Sequence, residues 1–119
     1  MSRESFYITT PIYYVNYQPH IGHIYTTVVA DTIARYKRMR GLDVRFLTGT
    51  DEHGQKIDRA ARQQGITPKE LADRVVGRFG ELWPSLGITN GAFIRSPEPR
   101  HRAGGHAMIA RLQARGDID

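Results

Sequence analysis

The sequence predicts an α/β protein with a parallel sheet and flanking helices. Three observations support this fold class. Strand-like apolar stretches alternate with segments of helical periodicity in the order β, α, β, α, α, β, α. Glycines follow several of the predicted helices, where a helix commonly stops. Polar segments follow the first two strands, at the end of a parallel sheet where ligands bind.

The first half of the chain contains two strands and one helix. Residues 6–10 are β-branched or aromatic and predict a short buried strand. Gly22 opens a helix with regularly spaced apolar positions, and Gly41 is a natural stop for it. Residues 44–48 predict the second strand, and residues 49–54 form the polar loop at its carboxyl end.

The second half contains three helices and one strand. A short helix is expected around residues 57–61. Residues 67–70 read Thr-Pro-Lys-Glu, a helix start with an N-cap threonine and a capping-box glutamate, and they open a helix that runs to Leu86. Residues 93–95 predict the third strand, and a last helix is expected over residues 96–116.

Composition limits the class of protein. The 119 residues suffice for one domain or part of one, and 39% of them are hydrophobic. The net charge of +5 suits a polyanionic partner, although many soluble proteins are modestly basic. The chain has no cysteine, which excludes disulfides and a thiolate zinc site. No apolar run of membrane length or secretory leader is present, so we expect a cytoplasmic protein without a membrane partner.

The segment between the first strand and the first helix carries the main chemical signal. It contains His20, Gly22 and His23 but neither a dinucleotide-binding glycine fingerprint nor a P-loop, so a standard dehydrogenase or P-loop enzyme is not expected. A helix N-terminus offers backbone N–H groups and a positive dipole to phosphates. Two imidazoles there add donors for the negative charge that develops when ATP expels pyrophosphate. Gly22 leaves room for a base or ribose.

Several alternatives remain open from the residues themselves. His20, His23 and His53 together are a candidate zinc site, and each histidine is also compatible with a local polar role. Asp51 ends the second strand, where it either holds a substrate ammonium group or caps the following helix. Tyr14 either closes an apolar pocket or belongs to the core.

Three segments resemble a known family. The His20-Ile21-Gly22-His23 signature resembles that of class I aminoacyl-tRNA synthetases, and residues 10–16 and 46–57 closely resemble the methionyl-tRNA synthetase family. The resemblance implies the first half of a Rossmann-like nucleotidyltransferase sheet. It also implies a two-step reaction, in which methionine and ATP give methionyl-adenylate and pyrophosphate before the acyl group moves to tRNA. ATP and Mg²⁺ would then serve the reaction, and methionine and tRNA would be the partners.

The resemblance also assigns roles to residues. It implies that His20 and His23 contact ATP and stabilise the transition state of adenylation, and that Pro19 and Gly22 lie at the nucleotide. It implies that Asp51 binds the methionine amino group and that Tyr14 lines the pocket for the methionine side chain. Two further residues border that pocket by the same resemblance, Pro11 and Ile12.

The chain departs from the family in length and content. Residues 1–119 correspond to an amino-terminal half of the catalytic domain, and they lack the second, lysine-bearing signature. The family's zinc-bearing connective insertion, the second half of the fold and the anticodon-binding domain are also not in this sequence. We therefore expect an unpaired sheet edge, self-association through it, poor solubility and little adenylate formation by this chain alone.

Two other functions compete with this interpretation. A small nucleotidyltransferase of the pantothenate-synthetase or cytidylyltransferase type shares the His-x-Gly-His turn. A non-enzymatic RNA-binding module would use four cations near the end of the first helix: Arg35, Lys37, Arg38 and Arg40. The remaining two histidines, His101 and His106, are expected to be solvated surface residues.

Overall fold

The computed structural model describes residues 3–118, which form eight elements. They are, in order, β1 (Ser5–Thr9), β2 (Tyr13–Tyr14), α1 (Ile21–Met39), β3 (Asp43–Asp51), α2 (Gln55–Gln63), α3 (Pro68–Ser85), β4 (Ala92–Arg95) and α4 (Pro99–Arg115). The predicted alternation is confirmed, with β2 as an additional short strand that sequence periodicity did not predict. None of the helices in residues 3–118 is long and apolar enough to span a membrane.

All strand pairs are parallel, and β3 is the central strand. Thr50 pairs with Tyr13 of β2 and with Arg95 of β4, so β2 and β4 lie on opposite edges of β3. Leu47 likewise pairs with both β1 and β4. One edge of β3 is therefore occupied by β1 and then β2, and the other edge by β4.

The first strand is less buried than predicted. Instead of a buried strand over residues 6–10, β1 covers Ser5–Thr9 and alternates between exposed and half-buried residues. Tyr7 is 62% exposed. Within residues 3–118, β1 pairs only with β3, and its second edge has no strand against it. The periodicity identified the strand correctly, but its burial depends on neighbours that are distant in the sequence.

The second predicted strand is longer than expected. β3 covers Asp43–Asp51, so Gly49, Thr50 and Asp51 belong to the strand and not to the polar loop predicted over residues 49–54. The reason is the pairing with β4, in which Gly49 lies beside Ile94. A Cβ at Gly49 would overlap the carbonyl oxygen of Ile94 and lie 2.5 Å from its Cγ2. The glycine permits a close approach of two strands.

The core lies on one face of the sheet in two clusters. Ala30 and Ala34 of α1 pack with Phe46 of β3. The larger cluster joins Tyr13 and Val15 to the buried faces of α2 and α3. Its helical members are Ile57, Ala60, Ala61, Leu71, Ala72, Val75, Phe79 and Trp83. By contrast, α4 has no buried residue. The opposite face of the sheet is therefore sparsely covered.

Helix boundaries follow the predicted signals closely. Gly41 adopts φ +85° directly after the C-cap of α1 and confirms the predicted stop. The capping box of Thr67 and Glu70 is present at the start of α3. The last helix begins three residues later than expected, at Pro99, with Glu98 as its N-cap.

Two glycine substitutions are expected to have opposite effects on the free energy of unfolding, because Gly49 is tightly packed and Gly80 is not. Gly49→Ala is expected to destabilise the chain by about 1–3 kcal/mol, because the methyl group must displace β4. Gly80→Ala, in the interior of α3 with no neighbouring atom within 4 Å of the new Cβ, is expected to stabilise it by about 0.5–1 kcal/mol. Urea unfolding of both variants measures the difference. Equal destabilisation would show that the close approach of β4 is not constrained.

Candidate active site

Two histidines form the cap of α1. His20 is the N-cap residue, and its Nδ1 accepts a hydrogen bond from the Gly22 backbone N–H at 3.1 Å. In return, Nδ1 of His23 accepts the His20 backbone N–H at 3.1 Å. This is a capping box in which imidazoles replace the usual hydroxyl and carboxylate. A Cβ at Gly22 would lie 3.0 Å from Cε1 of His20, so glycine leaves space for the ring over the first turn.

The cap determines which donors face a ligand. Because each Nδ1 accepts a hydrogen bond, the neutral rings of His20 and His23 carry their proton on Nε2. The backbone N–H groups of His23 and Ile24 donate to the His20 carbonyl oxygen. The expectation of several free backbone donors at this turn is therefore wrong, since the cap uses most of them. The Nε2–H groups of the two histidines are the donors that this turn offers.

Aromatic packing fixes the position of the pair. The imidazole rings stack with their centroids 3.8 Å apart. The His23 ring also lies 4.7 Å from the Tyr13 ring and meets Phe79 edge-on at 5.3 Å. Tyr13 is itself buried and its hydroxyl group is 2.9 Å from Oγ1 of Thr27. The core thus holds His23, and His23 supports the exposed His20.

Partial burial and the neighbouring His20 both lower the pKa of His23. Burial is the larger cause, because it disfavours the imidazolium, and the nearby His20 adds to it. A histidine with a lowered pKa binds its proton less readily in the folded chain than in the unfolded chain. Its contribution to stability is therefore complete above 6.5, the ordinary histidine value, and falls as the pH drops through the folded-state pKa.

The lowered pKa of His23 predicts that the folded chain loses stability in acid. The melting temperature is expected to fall between about pH 7 and about pH 5, and His23→Gln should reduce the histidine part of that fall. His106→Gln, at an exposed position on α4, is the matched control and should leave the profile unchanged. Thermal melting by circular dichroism measures both. An unchanged profile in His23→Gln would contradict the assignment.

The predicted ammonium-binding residue lies next to the predicted pocket tyrosine. β2 pairs Tyr14 with Asp51, and strand alternation puts both on the face opposite Tyr13 and Thr50. Tyr14 is 49% exposed, so the alternative that it belongs to the core is wrong. The core tyrosine is its neighbour Tyr13, because it lies on the helix-covered face.

Asp51 does not cap a helix. The N-cap of α2 is Gly54, and Oδ1 of Asp51 instead accepts the His53 backbone N–H at 3.3 Å. The helix-cap alternative for Asp51 is therefore wrong. Nζ of Lys56 lies 5.8 Å from the centre of the ring of Tyr14, the strand partner of Asp51.

One cavity brings part of the predicted site together. It has a volume of about 340 Å³, and its lining includes Ile12 and Tyr14 together with His20 and His23. Asp51 is not part of this lining. It is connected to the cavity through Tyr14, a lining residue with which it pairs in the sheet. The last two predicted site residues flank the other positions in sequence: Pro11, which is exposed, and Pro19, which is half-buried before the N-cap.

A zinc site is not supported by the geometry. Within residues 3–118, no group of three or more histidine, aspartate or glutamate side chains is placed to hold a metal ion. His53 does not line the cavity that contains His20 and His23. The candidate zinc triad of these histidines is therefore not assembled.

An ionic network that the sequence pattern does not predict lies next to Asp51. The carboxylate of Glu52, whose side chain is 3% exposed, accepts two hydrogen bonds from Arg95 at 2.7 and 2.5 Å and one from Thr50 at 2.9 Å. Arg95 also contacts Asp73 of α3 at 2.6 Å. Hydrogen bonding to Glu52 is the largest cause of the raised pKa of Arg95, and Lys69 and Arg95 lower the pKa of Asp73. Arg95 lies 43 residues from Glu52 and 22 residues from Asp73, so no local pattern indicates these contacts.

The four cations near the end of α1 have structural contacts. Arg35 pairs with Asp31 at 2.6 Å and donates to the Gly87 carbonyl oxygen. Arg38 donates to the side chain and backbone of Thr89. The other two contact aromatic residues: Lys37 lies over the Phe6 ring, and Arg40 donates to Tyr36. These contacts join the end of α1 to the loop before β4 and to nearby aromatic rings. They favour a structural role for the four cations over RNA binding. The two histidines of α4, His101 and His106, are exposed as predicted.

Comparison with known proteins gives one family. Residues 6–119 match the model of the family described as tRNA synthetases class I (M). A methionine–tRNA ligase of Thermotoga maritima is 55% identical over 113 residues, which are 95% of this chain and 18% of that protein. A methionine–tRNA ligase of Bacillus subtilis is 54% identical over 115 residues, which are 97% of this chain and 17% of that protein.

A solved structure shares the fold as well. The Mycobacterium tuberculosis methionyl-tRNA synthetase in complex with methionyl-adenylate superposes with a TM-score of 0.90 at 41% identity. The match covers 95% of this chain and 22% of the other. The chain thus spans less than a quarter of the length of these relatives. Since the family model matches almost every residue, the chain belongs to the class I tRNA synthetases of the methionine type.

Proposed function

We propose that this chain supplies the amino-terminal half of a catalytic domain that activates methionine with ATP and transfers it to tRNA. The observation that carries the proposal is the histidine capping box. It fixes two adjacent imidazoles at a helix N-terminus with their Nε2–H groups available to a ligand. Fixed donors of this kind stabilise charge that develops on phosphate oxygens.

The adenylation step uses these donors. The methionine carboxylate attacks the α-phosphorus of ATP, a new carboxyl–phosphate bond forms, and the bond to the pyrophosphate oxygen breaks. His20 and His23 donate to oxygens of the phosphate chain as negative charge builds up on them. Gly22 and Pro19 border the nucleotide, and the absence of a Cβ at Gly22 leaves room for the His20 ring beside it.

The methionine substrate is placed next to Tyr14 and Asp51. Asp51 accepts the methionine ammonium group, since a carboxylate at the end of β3 is adjacent to Tyr14 across the strand pair. Tyr14 and Ile12, both exposed and both lining the histidine cavity, border the thioether chain together with Pro11.

The described residues do not form a cage for Mg²⁺. No group of three or more potential ligand side chains is present within residues 3–118. Mg²⁺ is bound in many phosphoryl-transfer sites mainly through the substrate's own phosphates. We therefore place any Mg²⁺ on ATP and assign no residue of this chain to it.

A graft tests the proposal. This chain replaces the matching segment of the Thermotoga maritima methionine–tRNA ligase, and exchange of labelled pyrophosphate into ATP is measured. Exchange is expected to depend on methionine and to approach that of the host enzyme. The unpaired edge of β1 leads us to expect self-association of the isolated chain. We expect little exchange from the isolated chain, because the lysine-bearing signature of the family is not in this sequence. A folded graft without methionine-dependent exchange would overturn the proposal.

A further inference from the structure

Ser96 is hydrogen-bonded to the backbone on both sides of Asp51. The Ser96 N–H donates to the Thr50 carbonyl oxygen at 3.1 Å. The Ser96 Oγ accepts the Glu52 backbone N–H at 2.8 Å. Thr50 and Glu52 are the residues directly before and after Asp51, which is the last residue of β3. One residue from another part of the chain therefore spans the carboxylate that is proposed to bind the methionine ammonium group.

The hydroxyl group of Ser96 continues the sheet beyond the end of β4. In a regular parallel pair, evenly spaced backbone hydrogen bonds join the two strands along their whole length. The register of β3 and β4 ends at the pair of Thr50 with Arg95, which is also the last residue of β4. The Glu52 N–H lies past that pair, and a side chain accepts it instead of a backbone carbonyl group. The serine hydroxyl thus fixes the chain one residue beyond Asp51.

The turn that follows β4 holds Ser96 in place. The Glu98 N–H donates to the Arg95 carbonyl oxygen at 3.0 Å, and the Glu98 carboxylate accepts the Arg95 N–H at 3.0 Å. These two hydrogen bonds close the turn around Ser96 and Pro97. The Arg95 side chain in turn binds the Glu52 carboxylate. Glu52 is therefore held to the end of β4 through its backbone and its side chain together.

The other contacts of Asp51 constrain it less. Its carboxylate accepts the His53 backbone N–H at 3.3 Å, which is longer than most N–H···O hydrogen bonds. On the opposite edge of β3, Asp51 pairs with Tyr14 of β2, a strand of 2 residues. A side chain that binds a substrate group needs supporting contacts that hold it to within about 0.5 Å. For Asp51, the hydrogen bonds of Ser96 are the contacts that can do this.

We propose that Ser96 is a positioning residue for methionine binding, which acts by fixing the backbone around Asp51. This assignment rests on the proposed function, in which Asp51 accepts the ammonium group of methionine. Ser96 itself contacts neither substrate. Loss of its hydroxyl group leaves the Glu52 N–H without its acceptor and allows the end of β3 to move. The affinity for methionine then falls, whereas the histidine turn that contacts ATP is unaffected.

Titration of methionine into the folded graft by calorimetry measures this affinity without chemistry. Ser96→Ala is expected to raise the Kd for methionine roughly three- to tenfold, the effect of one hydrogen bond. Ser96→Thr keeps a hydroxyl group at the same position and should bind methionine as the parent graft does. The KM for ATP in pyrophosphate exchange should be unchanged in both variants.

A ligand without an ammonium group separates positioning from a general loss of structure. The methionine analogue that lacks the amino group has no donor for Asp51, so Ser96→Ala should leave its Kd unchanged. Ser85→Ala is the matched control, because the Ser85 Oγ also makes one hydrogen bond to the backbone, at 2.7 Å to the Leu82 carbonyl oxygen. This control should leave the Kd of both ligands unchanged. Circular dichroism of each variant confirms that the fold is retained.

Four outcomes would overturn the inference. They are an unchanged Kd for methionine in Ser96→Ala, an equal loss of affinity in Ser85→Ala, an equal loss for the analogue without the amino group, and a loss that Ser96→Thr does not recover. A graft that binds methionine but exchanges no pyrophosphate refutes the proposed function alone, because the titration still decides the role of Ser96. A folded graft that binds no methionine refutes both.

Discussion

Arg95→Met is expected to lower the free energy of unfolding by about 3–5 kcal/mol. The substitution removes the bidentate partner of Glu52, whose side chain is only 3% exposed, and leaves that carboxylate without its counter-charge. The bond from Thr50 remains but cannot neutralise the charge. Urea unfolding followed by circular dichroism measures the loss.

A second pair of variants separates the cost of the unpaired charge from the value of the ion pair. Glu52→Leu/Arg95→Met removes both charges and should recover most of the lost stability, because a buried ion pair is often worth little more than an apolar pair. Arg62→Met is the matched control: it breaks the exposed pair with Asp58 and should cost less than about 1 kcal/mol. If Arg95→Met costs no more than Arg62→Met, the network does not stabilise the fold.

The network also has a consequence for the site. Glu52 follows Asp51 directly, and the Glu52 backbone N–H donates to Oγ of Ser96 at 2.8 Å. The end of β3 is therefore tied to the end of β4 by both side-chain and backbone contacts. Loss of Arg95 is expected to loosen the position of the proposed ammonium-binding carboxylate as well as the fold.

His20→Asn and His23→Gln are each expected to lower the rate of methionine-dependent pyrophosphate exchange in the graft by roughly 10²–10³-fold, or about 2.7–4 kcal/mol. Both replacements keep a side-chain oxygen that can accept the capping hydrogen bond, but they remove the imidazole Nε2–H. The effect should appear in kcat, because the donors act on charge that develops in the transition state.

Controls define how this result is interpreted. His106→Gln, at an exposed position on α4, should leave the exchange rate unchanged. The double variant should lose less than the product of the single losses, because the stacked rings act on the same phosphate chain. A rise in the KM for ATP with an unchanged kcat would assign the pair to ground-state binding and contradict a transition-state role.

The strand and helix signals are local, and for that reason most of them predict the structure correctly. Glycine stops, the capping box of Thr67 and Glu70, and the helical spacing of α1 all depend on contacts within a few residues. The extent of β3 was not local. Its last three residues pair with β2 and β4, which come from distant parts of the chain, so the local pattern predicts a polar loop where the structure has a strand.

The candidate site shows the same difference between features set by local sequence and features set by distant contacts. The pattern His20-x-Gly22-His23 indicates a ligand-binding turn. Whether its backbone N–H groups are free depends on how the two imidazole rings are oriented, and here they donate to the ring Nδ1 atoms. The choice between Tyr13 and Tyr14 as the core residue depended on which face of β2 meets the helices. The neighbours of Asp51 likewise became known only from strand register.

The sequence by itself determined the α/β class, most helix ends, the histidine signature and the family, because each is encoded in residue type and short-range spacing. The tertiary structure alone decided which tyrosine is buried, that both imidazoles donate through Nε2, and that Glu52, Arg95 and Asp73 form one network. The physical reason is that burial, electrostatic pairing and ring stacking arise from contacts between residues far apart in the chain, and sheet register and helix packing set those contacts.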